Sequence, residues 1–290
     1  MYKLFSLSLE NMEQETSSIK ENEIRYEDLD SPPGRRLGSG NFGRIFEGRY
    51  KNRPVAYKIM KHAIHSSIFF NEISILKSLD HECICSLYGY VRHENLMILV
   101  LEKIHGISLY HYLLYQEMDL SRKQQLGKQV LSTMVYLHNQ LVLYGDLKPE
   151  NIMIHPETMR HKIVDFGLSQ RLESPISKVK GMVGTPGYMA PEIIQEEEYG
   201  LKVDVFAYGM VLYVLFSEQP PASPTTREYY LRSRSFRPYR KLIRWCTSEE
   251  AEYRPSFLEL SMIYDQVLSQ QTTDTGWWSC LLSFFFCSSV

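Results

Sequence analysis

The chain has 290 residues, 44% hydrophobic and 23% charged, the make-up of a globular protein able to bury one substantial core or two joined lobes. Lys and Arg total 32 against 34 Asp and Glu, a formal net charge of −2, so no bulk basic field points to nucleic acid, and no nucleic-acid partner is expected. The five cysteines, Cys83, Cys85, Cys246, Cys280 and Cys287, give neither a disulfide framework nor a zinc spacing. Cys83 and Cys85 are expected to be reduced and partly buried.

The first fifteen residues lack a basic region followed by a long apolar run, so a secretory leader is not expected and the default compartment is the cytosol. Residues 10–30 carry eight acidic and two basic side chains with few large apolar ones. Their composition predicts a mobile segment or a frayed helix, because too little apolar surface is available to offset the entropy of ordering. Residues 1–23 are therefore set apart as an N-terminal extension. Ser31-Pro32-Pro33-Gly34 is a turn signal. Strand-like runs follow at 44–50, 55–59 and 96–101. Between the last two, Ile68, Ile73, Leu76 and Leu79 fall near a 3.6-residue period and predict a helix over 68–79. Beyond Gly106 the pattern becomes helical, with Leu126, Val130, Met134 and Leu137 on one face. Residues 203–216 are more uniformly apolar, which predicts a helix buried on most sides and too short to cross a bilayer. A last helix is expected over 257–268. Strands first, one helix among them and helices afterwards describe an α+β protein with two unequal lobes, at about 24–104 and 105–268.

Five short signals carry chemistry. The first is Leu37-Gly38-Ser39-Gly40-Asn41-Phe42-Gly43-Arg44-Ile45. Glycines let a backbone approach phosphate oxygens, but G-x-G-x-x-G also occurs in dinucleotide sites and in plain hairpins. The dinucleotide reading needs a helix after the glycines, whereas 44–50 reads as a strand. The second is Lys58 within Val55-Ala56-Tyr57-Lys58. A lysine in an apolar strand either snorkels to water or needs a partner, such as Glu72 on the following helix or a phosphate. The third is Tyr144-Gly145-Asp146-Leu147-Lys148-Pro149-Glu150-Asn151. The fourth is Asp165-Phe166-Gly167 at the end of a strand. The fifth is Gly184-Thr185-Pro186-Gly187-Tyr188-Met189-Ala190-Pro191-Glu192. Each alone fits a turn with a capping Asp or Asn.

In this order and spacing the five resemble the motif set of eukaryotic protein kinases over roughly 24–268. Residues 24–29 and Arg254-Pro255-Ser256-Phe257 are similar to the tyrosine-kinase-like group. The resemblance implies a two-lobed fold, a small mainly antiparallel β lobe with one key helix and a larger mainly helical lobe. It implies ATP, Mg²⁺ and a protein substrate. Leu37, Gly38, Ser39, Gly40, Asn41, Phe42 and Gly43 would cover the phosphates. Lys58, held by Glu72, would bind the α and β phosphates, and Asn151 and Asp165 would bind Mg²⁺. Asp146 would accept the substrate hydroxyl proton, and Lys148 would steady the transferring group. Adenine would lie between Ile45 and Ala56 above and Met153 below, against backbone groups near Glu102 and Ile104, with Leu101 guarding the inner pocket. Lys148 and Thr185 resemble the serine/threonine pattern.

The sequence departs from the family in three places. Tyr144-Gly145-Asp146 stands where the family has His-Arg-Asp. The missing arginine removes the cation that pairs with a phosphorylated activation segment, so activation is expected not to need that contact, and Tyr144 is expected to pack under Phe166. A catalytically silent, kinase-like scaffold is the other reading of this change. The stretch from Glu192 to Arg254, a pair expected to form a salt bridge, is short, and after Pro220 it is basic, with Arg227, Arg232, Arg234, Arg237, Arg240, Lys241 and Arg244 against Glu228. It reads as a solvated surface or as a dock for an acidic partner or anionic lipid. The tail at 269–290 is apolar and holds Trp277, Trp278 and Cys280. It reads as a membrane anchor, as sequence folded back on the helical lobe, or as sequence without function.

Overall fold

The computed structural model describes residues 22–40, 42–221 and 237–269. Its small lobe is a five-stranded antiparallel sheet in the order β1-β2-β3-β5-β4. The strands are β1 (Arg36–Ser39), β2 (Arg44–Tyr50), β3 (Arg53–Lys61), β4 (Leu87–His93) and β5 (Leu96–Glu102). Lys51 and Asn52, both at positive φ, join β2 to β3. That is the turn whose twist matches a tight hairpin, and it suits an asparagine at the second position.

Alternation along the strands decides what faces the cleft. On β5, Met97, Leu99 and Leu101 enter the main core, while Ile98 and Val100 enter a second cluster on the opposite face. Burial on both faces explains why 96–101 reads as an unbroken apolar run. On β3 the same rule puts Ala56 and Met60 on the main-core side and Val55 and Tyr57 on the other. Lys58 shares the parity of Ala56 and Met60. It therefore points at helix α1 (His62–Lys77), whose Phe69, Ile73 and Leu76 cover that face. The helix begins six residues before the predicted 68–79, because Ser66 and Ser67, both exposed, interrupt the apolar period.

The second cluster corrects the reading of the acidic segment. Within residues 22–31 the chain is strapped across the outer face of the sheet. Ile24 is buried there, with Tyr26 and Leu29 packed beside it. Glu23 grips Arg92 through two hydrogen bonds of 2.7 and 2.8 Å, Tyr26 stacks on His93, and Asp30 accepts the Asn52 amide at 2.6 Å. Charge composition missed three apolar side chains placed to cap an otherwise bare sheet face. The acidic residues before Asn22 lie outside the described residues.

The large lobe is helical. Helices α2 (Leu109–Tyr115) and α3 (Leu120–Asn139) start at Ser108 and Asp119, whose side chains accept backbone amides of the first turn. Leu126, Val130, Met134 and Leu137 are buried on α3, as the period predicts. Helix α4 (Pro191–Ile194) is short, and α5 (Lys202–Ser217) is buried continuously from Val203 to Leu215. Helix α6 (Arg237–Cys246) packs on α5, and α7 (Phe257–Ser269) packs on α3 and α6, with Phe257 meeting Tyr208 of α5 edge-on. Two small sheets sit at the cleft. One has the order β6-β8-β9, from Ile107–Ser108, Ile152–Ile154 and His161–Ile163. The other pairs β7 (Val142–Leu143) with β10 (Gln170–Arg171). Among the described residues no helix is long and apolar enough to cross a membrane, and the apolar tail from 270 onward lies outside them. Cys85 and Cys246 are buried free thiols and Cys83 is half-buried.

Candidate active site

Lys58 Nζ lies 2.7 Å from both carboxylate oxygens of Glu72 and 2.6 Å from Asp165 Oδ1. The Lys58 and Glu72 side chains are 2% and 1% exposed, so neither snorkels, and the partner reading of Lys58 holds. Burial pulls the lysine pKa down, but Asp165 and Glu72 outweigh it and hold the ammonium above its usual value. Burial works against Asp165 as well, yet Lys58 and the Gly167 amide keep its carboxyl below the usual range, with Lys148 adding to the effect. One cation between two carboxylates leaves an excess negative charge at the cleft. Asp165 also has φ +61, a conformation that costs a non-glycine residue free energy and persists only where its surroundings impose it.

The loop between β7 and β8 carries the second group. Asp146 Oδ2 accepts from Lys148 Nζ at 2.7 Å, and Asp146 Oδ1 accepts from the Thr185 hydroxyl at 2.6 Å. Lys148 Nζ also donates to Thr185 Oγ1 at 2.6 Å. Asn151 Nδ2 donates to the Asp146 backbone oxygen at 2.9 Å and to Oδ2 at 3.1 Å. The free polar chemistry left on Asn151 is its amide oxygen. Together with the Asp165 carboxylate it forms the oxygen set a hard divalent cation takes, and the excess negative charge fits such an ion. A Cβ on Gly40 would come within 3.0 Å of Asp165 Oδ2. The absence of a side chain there brings the glycine hairpin close over that carboxylate.

The loop is held from below. Asp204 on α5 accepts the amides of Tyr144 and Gly145, each at 2.8 Å, and lies 3.0 Å from His138 Nε2. Tyr144 is fully buried, meets Phe166 edge-on at 5.1 Å and donates its hydroxyl to the Val164 carbonyl. Glu192 and Arg254 form the expected bridge, with paired bonds of 2.6 and 2.8 Å. Sequence reasoning missed Asp204, although a lone carboxylate in a uniformly apolar helix was the available signal. Ser169, two residues after Gly167, carries no signal in the sequence, yet it is fully buried and donates to the Tyr144 carbonyl at 2.9 Å.

The remaining residues expected at the nucleotide lie on β1, β2, β3, β8 and the segment after β5. Leu37, Gly38 and Ser39 lie on β1, and the Gly40 amide donates to Gly43 at 3.0 Å to close the hairpin. Asn41 lies outside the described residues. Phe42, Ile45 and Ile104 pack against the core, and a Cβ on Gly167 would meet the Phe42 ring. Ala56 is paired with Leu101 across β3 and β5, and Met153 sits half-buried on β8. The Glu102 carboxylate is engaged by Lys162 at 2.7 Å, so its contribution to a ligand is main chain. A strand, not a helix, follows the glycines, which sets aside the dinucleotide reading. Of the basic stretch, Arg227, Arg232 and Arg234 lie outside the described residues, while Lys241 Nζ lies 4.7 Å over the Trp245 ring on α6.

A strand lobe and a helical lobe that bring together a buried lysine, two carboxylates and an Asp–Asn loop have the arrangement of a protein kinase domain. The chain belongs to the protein kinase domain family, whose model matches residues 33–269. It is 30% identical over 91% of its length to the serine/threonine/tyrosine-protein kinase HT1 of Arabidopsis thaliana. It is 28% identical over 88% to the serine/threonine-protein kinase VIK of the same plant, and 29% identical over 84% to the probable serine/threonine-protein kinase kinX of Dictyostelium discoideum. The chain spans 74%, 64% and 24% of those three proteins respectively. A protein kinase domain implies ATP, typically with Mg²⁺, and a protein substrate.

Proposed function

We propose that this chain transfers the γ-phosphoryl group of ATP to serine or threonine hydroxyls of intracellular proteins. The observation that carries the reading is the Asp146–Lys148–Thr185 arrangement, every pair of which is within hydrogen-bond distance. Asp146 orients the incoming hydroxyl and takes its proton, a base held in place by three neighbours. Lys148 lies between Asp146 and the phosphate side, where its charge steadies the transferring group. Lys58, fixed by Glu72, holds the α and β phosphates. The glycine hairpin from Gly38 to Gly43 covers them, and Leu37, Ile45, Ala56 and Met153 enclose the adenine against the backbone of Glu102 and Ile104. Asp165 and Asn151 would hold Mg²⁺, which supplies charge neutralisation on the phosphate oxygens when bound.

Gly145 does not favour a silent scaffold. The missing arginine side chain is not part of the Lys58–Glu72–Asp165 or Asp146–Lys148–Asn151 groups, and the Gly145 amide keeps its bond to Asp204. The reading is tested by phosphoamino-acid analysis of generic protein substrates after incubation with labelled ATP and Mg²⁺. Label on serine and threonine is expected. Label confined to tyrosine, or to a small molecule, would overturn the substrate assignment.

A further inference from the structure

Glu72, Asp165 and Asp146 belong to three separate elements, and a continuous line of hydrogen bonds ties those elements together outside the reacting groups. Asn71, the neighbour of Glu72 on α1, donates its Nδ2 to the Ser169 carbonyl at 2.7 Å. The Ser169 hydroxyl, with no exposed surface, donates to the Tyr144 carbonyl at 2.9 Å. The Tyr144 amide is held by Asp204 at 2.8 Å, and the Tyr144 hydroxyl donates to Val164, the residue before Asp165. Val164 is held from its other side too, since its amide donates to the Asn151 carbonyl at 3.0 Å. The strained φ of Asp165 is therefore bracketed between a clamped Val164 and a turn closed by the Ser169 amide on Phe166 at 3.1 Å.

We propose that Asn71, Ser169 and Tyr144 are positioning residues that lock helix α1, the Asp165 turn and the Asp146 loop in one arrangement, so that the site is assembled by the chain's own hydrogen bonds rather than by a phosphate on the activation segment. The proposal rests on the kinase reading above for its kinetic arm. The physical reason is that α1 touches the large lobe near the site through few polar contacts. Asn71 and Glu72 are adjacent on α1 and both reach the residues following Asp165, Asn71 through the Ser169 carbonyl and Glu72 through the Phe166 amide as well as Lys58. Without the Asn71 bond the polar tie of α1 to that turn rests on Glu72, which is then less firmly held on Lys58. Without the Ser169 hydroxyl the Asp165 turn loses its tie to the Asp146 loop. A buried Tyr144 carbonyl would also be left without that partner, which is costly in a dry interior.

The test uses the full chain and the variants Asn71→Leu, Ser169→Ala and the two combined. Turnover per folded molecule, KM for ATP and amide hydrogen exchange without nucleotide are measured on each. Each single variant is expected to lower kcat about tenfold, with KM for ATP changed less than about twofold. The double variant is expected to fall about as far as either single one, because the two act as a unit. Ser169→Ala is also expected to speed exchange in α1, on which Ser169 does not lie. Unchanged kcat per folded molecule with a lowered melting temperature would overturn the proposal, as would exchange changes confined to each substituted element. If the wild-type chain shows no transfer, the kinase reading fails, and the exchange arm still decides whether the three elements are coupled.

Discussion

The Gly145 amide donates to the Asp204 carboxylate at 2.8 Å from a backbone conformation of φ +82. A Cβ at this position would stand 2.9 Å from the Leu168 carbonyl oxygen. Glycine therefore lets the loop reach Asp204 without strain. Gly145→Arg is expected to destabilise the fold by about 1–2 kcal/mol, the usual penalty for an L-residue in left-handed conformation. Urea unfolding measures it, and a gain in stability would show that the strain is absent.

The buried bridge below the substrate face should be strongly coupled to folding. The Arg254 side chain is 0% exposed and Glu192 11%, and Arg254 also donates to the carbonyls of Ser248, Lys202 and Glu249. Glu192→Ala leaves a buried guanidinium with no counter-charge and is expected to cost on the order of 3 kcal/mol. Chemical denaturation reads the loss directly.

His161 gives a pH dependence with a defined sign. It is 3% exposed on β9, with Nε2 at 3.0 Å from Thr133 Oγ1 and no partner for Nδ1 among the described residues. Burial, with smaller contributions from His81 and Lys162, pushes its pKa from 6.5 down to about 4. The unfolded chain therefore binds the extra proton first. This histidine's contribution to stability falls as pH drops through 6.5 and levels off below about 4. The full loss is on the order of 3 kcal/mol. Melting curves of wild type and His161→Gln between those limits should converge as the pH falls. Parallel curves would mean that the histidine takes up its proton in the folded state.

Ser174 and Ser177 bond to each other in a turn of the activation segment, and Val179 pairs with Tyr199 through two backbone bonds of 2.8 and 2.9 Å. The segment is thus closed on the large lobe by its own backbone. Ser174→Ala with Ser177→Ala, and prior phosphatase treatment of the wild type, are each expected to leave more than about half of the activity. A near-total loss in either would restore a phosphate-dependent activation.

Much of this was legible in the sequence, and the reasons for the rest are physical. Strands 44–50 and 96–101 and the face of α3 were readable because burial imposes a period on their side chains. Lys58 taken alone left snorkelling open, and its pairing with Glu72 was legible only through the resemblance carried by the five motifs together. The strap over residues 22–31 was not, because its ordering depends on Ile24, Tyr26 and Leu29 meeting a sheet face formed far along the chain. Ser169 gave no signal, since nothing local marks a serine whose partner is a carbonyl 25 positions away. Asp204 was hidden for the same reason, its partners being backbone amides of a loop about 60 residues earlier.

The most direct test of the account is single-turnover transfer from γ-labelled ATP with Mg²⁺ to protein substrate by the full chain, beside Asp146→Asn. The account predicts transfer by the wild type and a loss of about a hundredfold or more in the variant, with ATP affinity retained, because Asp146 acts on the acceptor hydroxyl rather than on the nucleotide. Equal rates for the two proteins, or no transfer by a wild type that binds ATP, would contradict it.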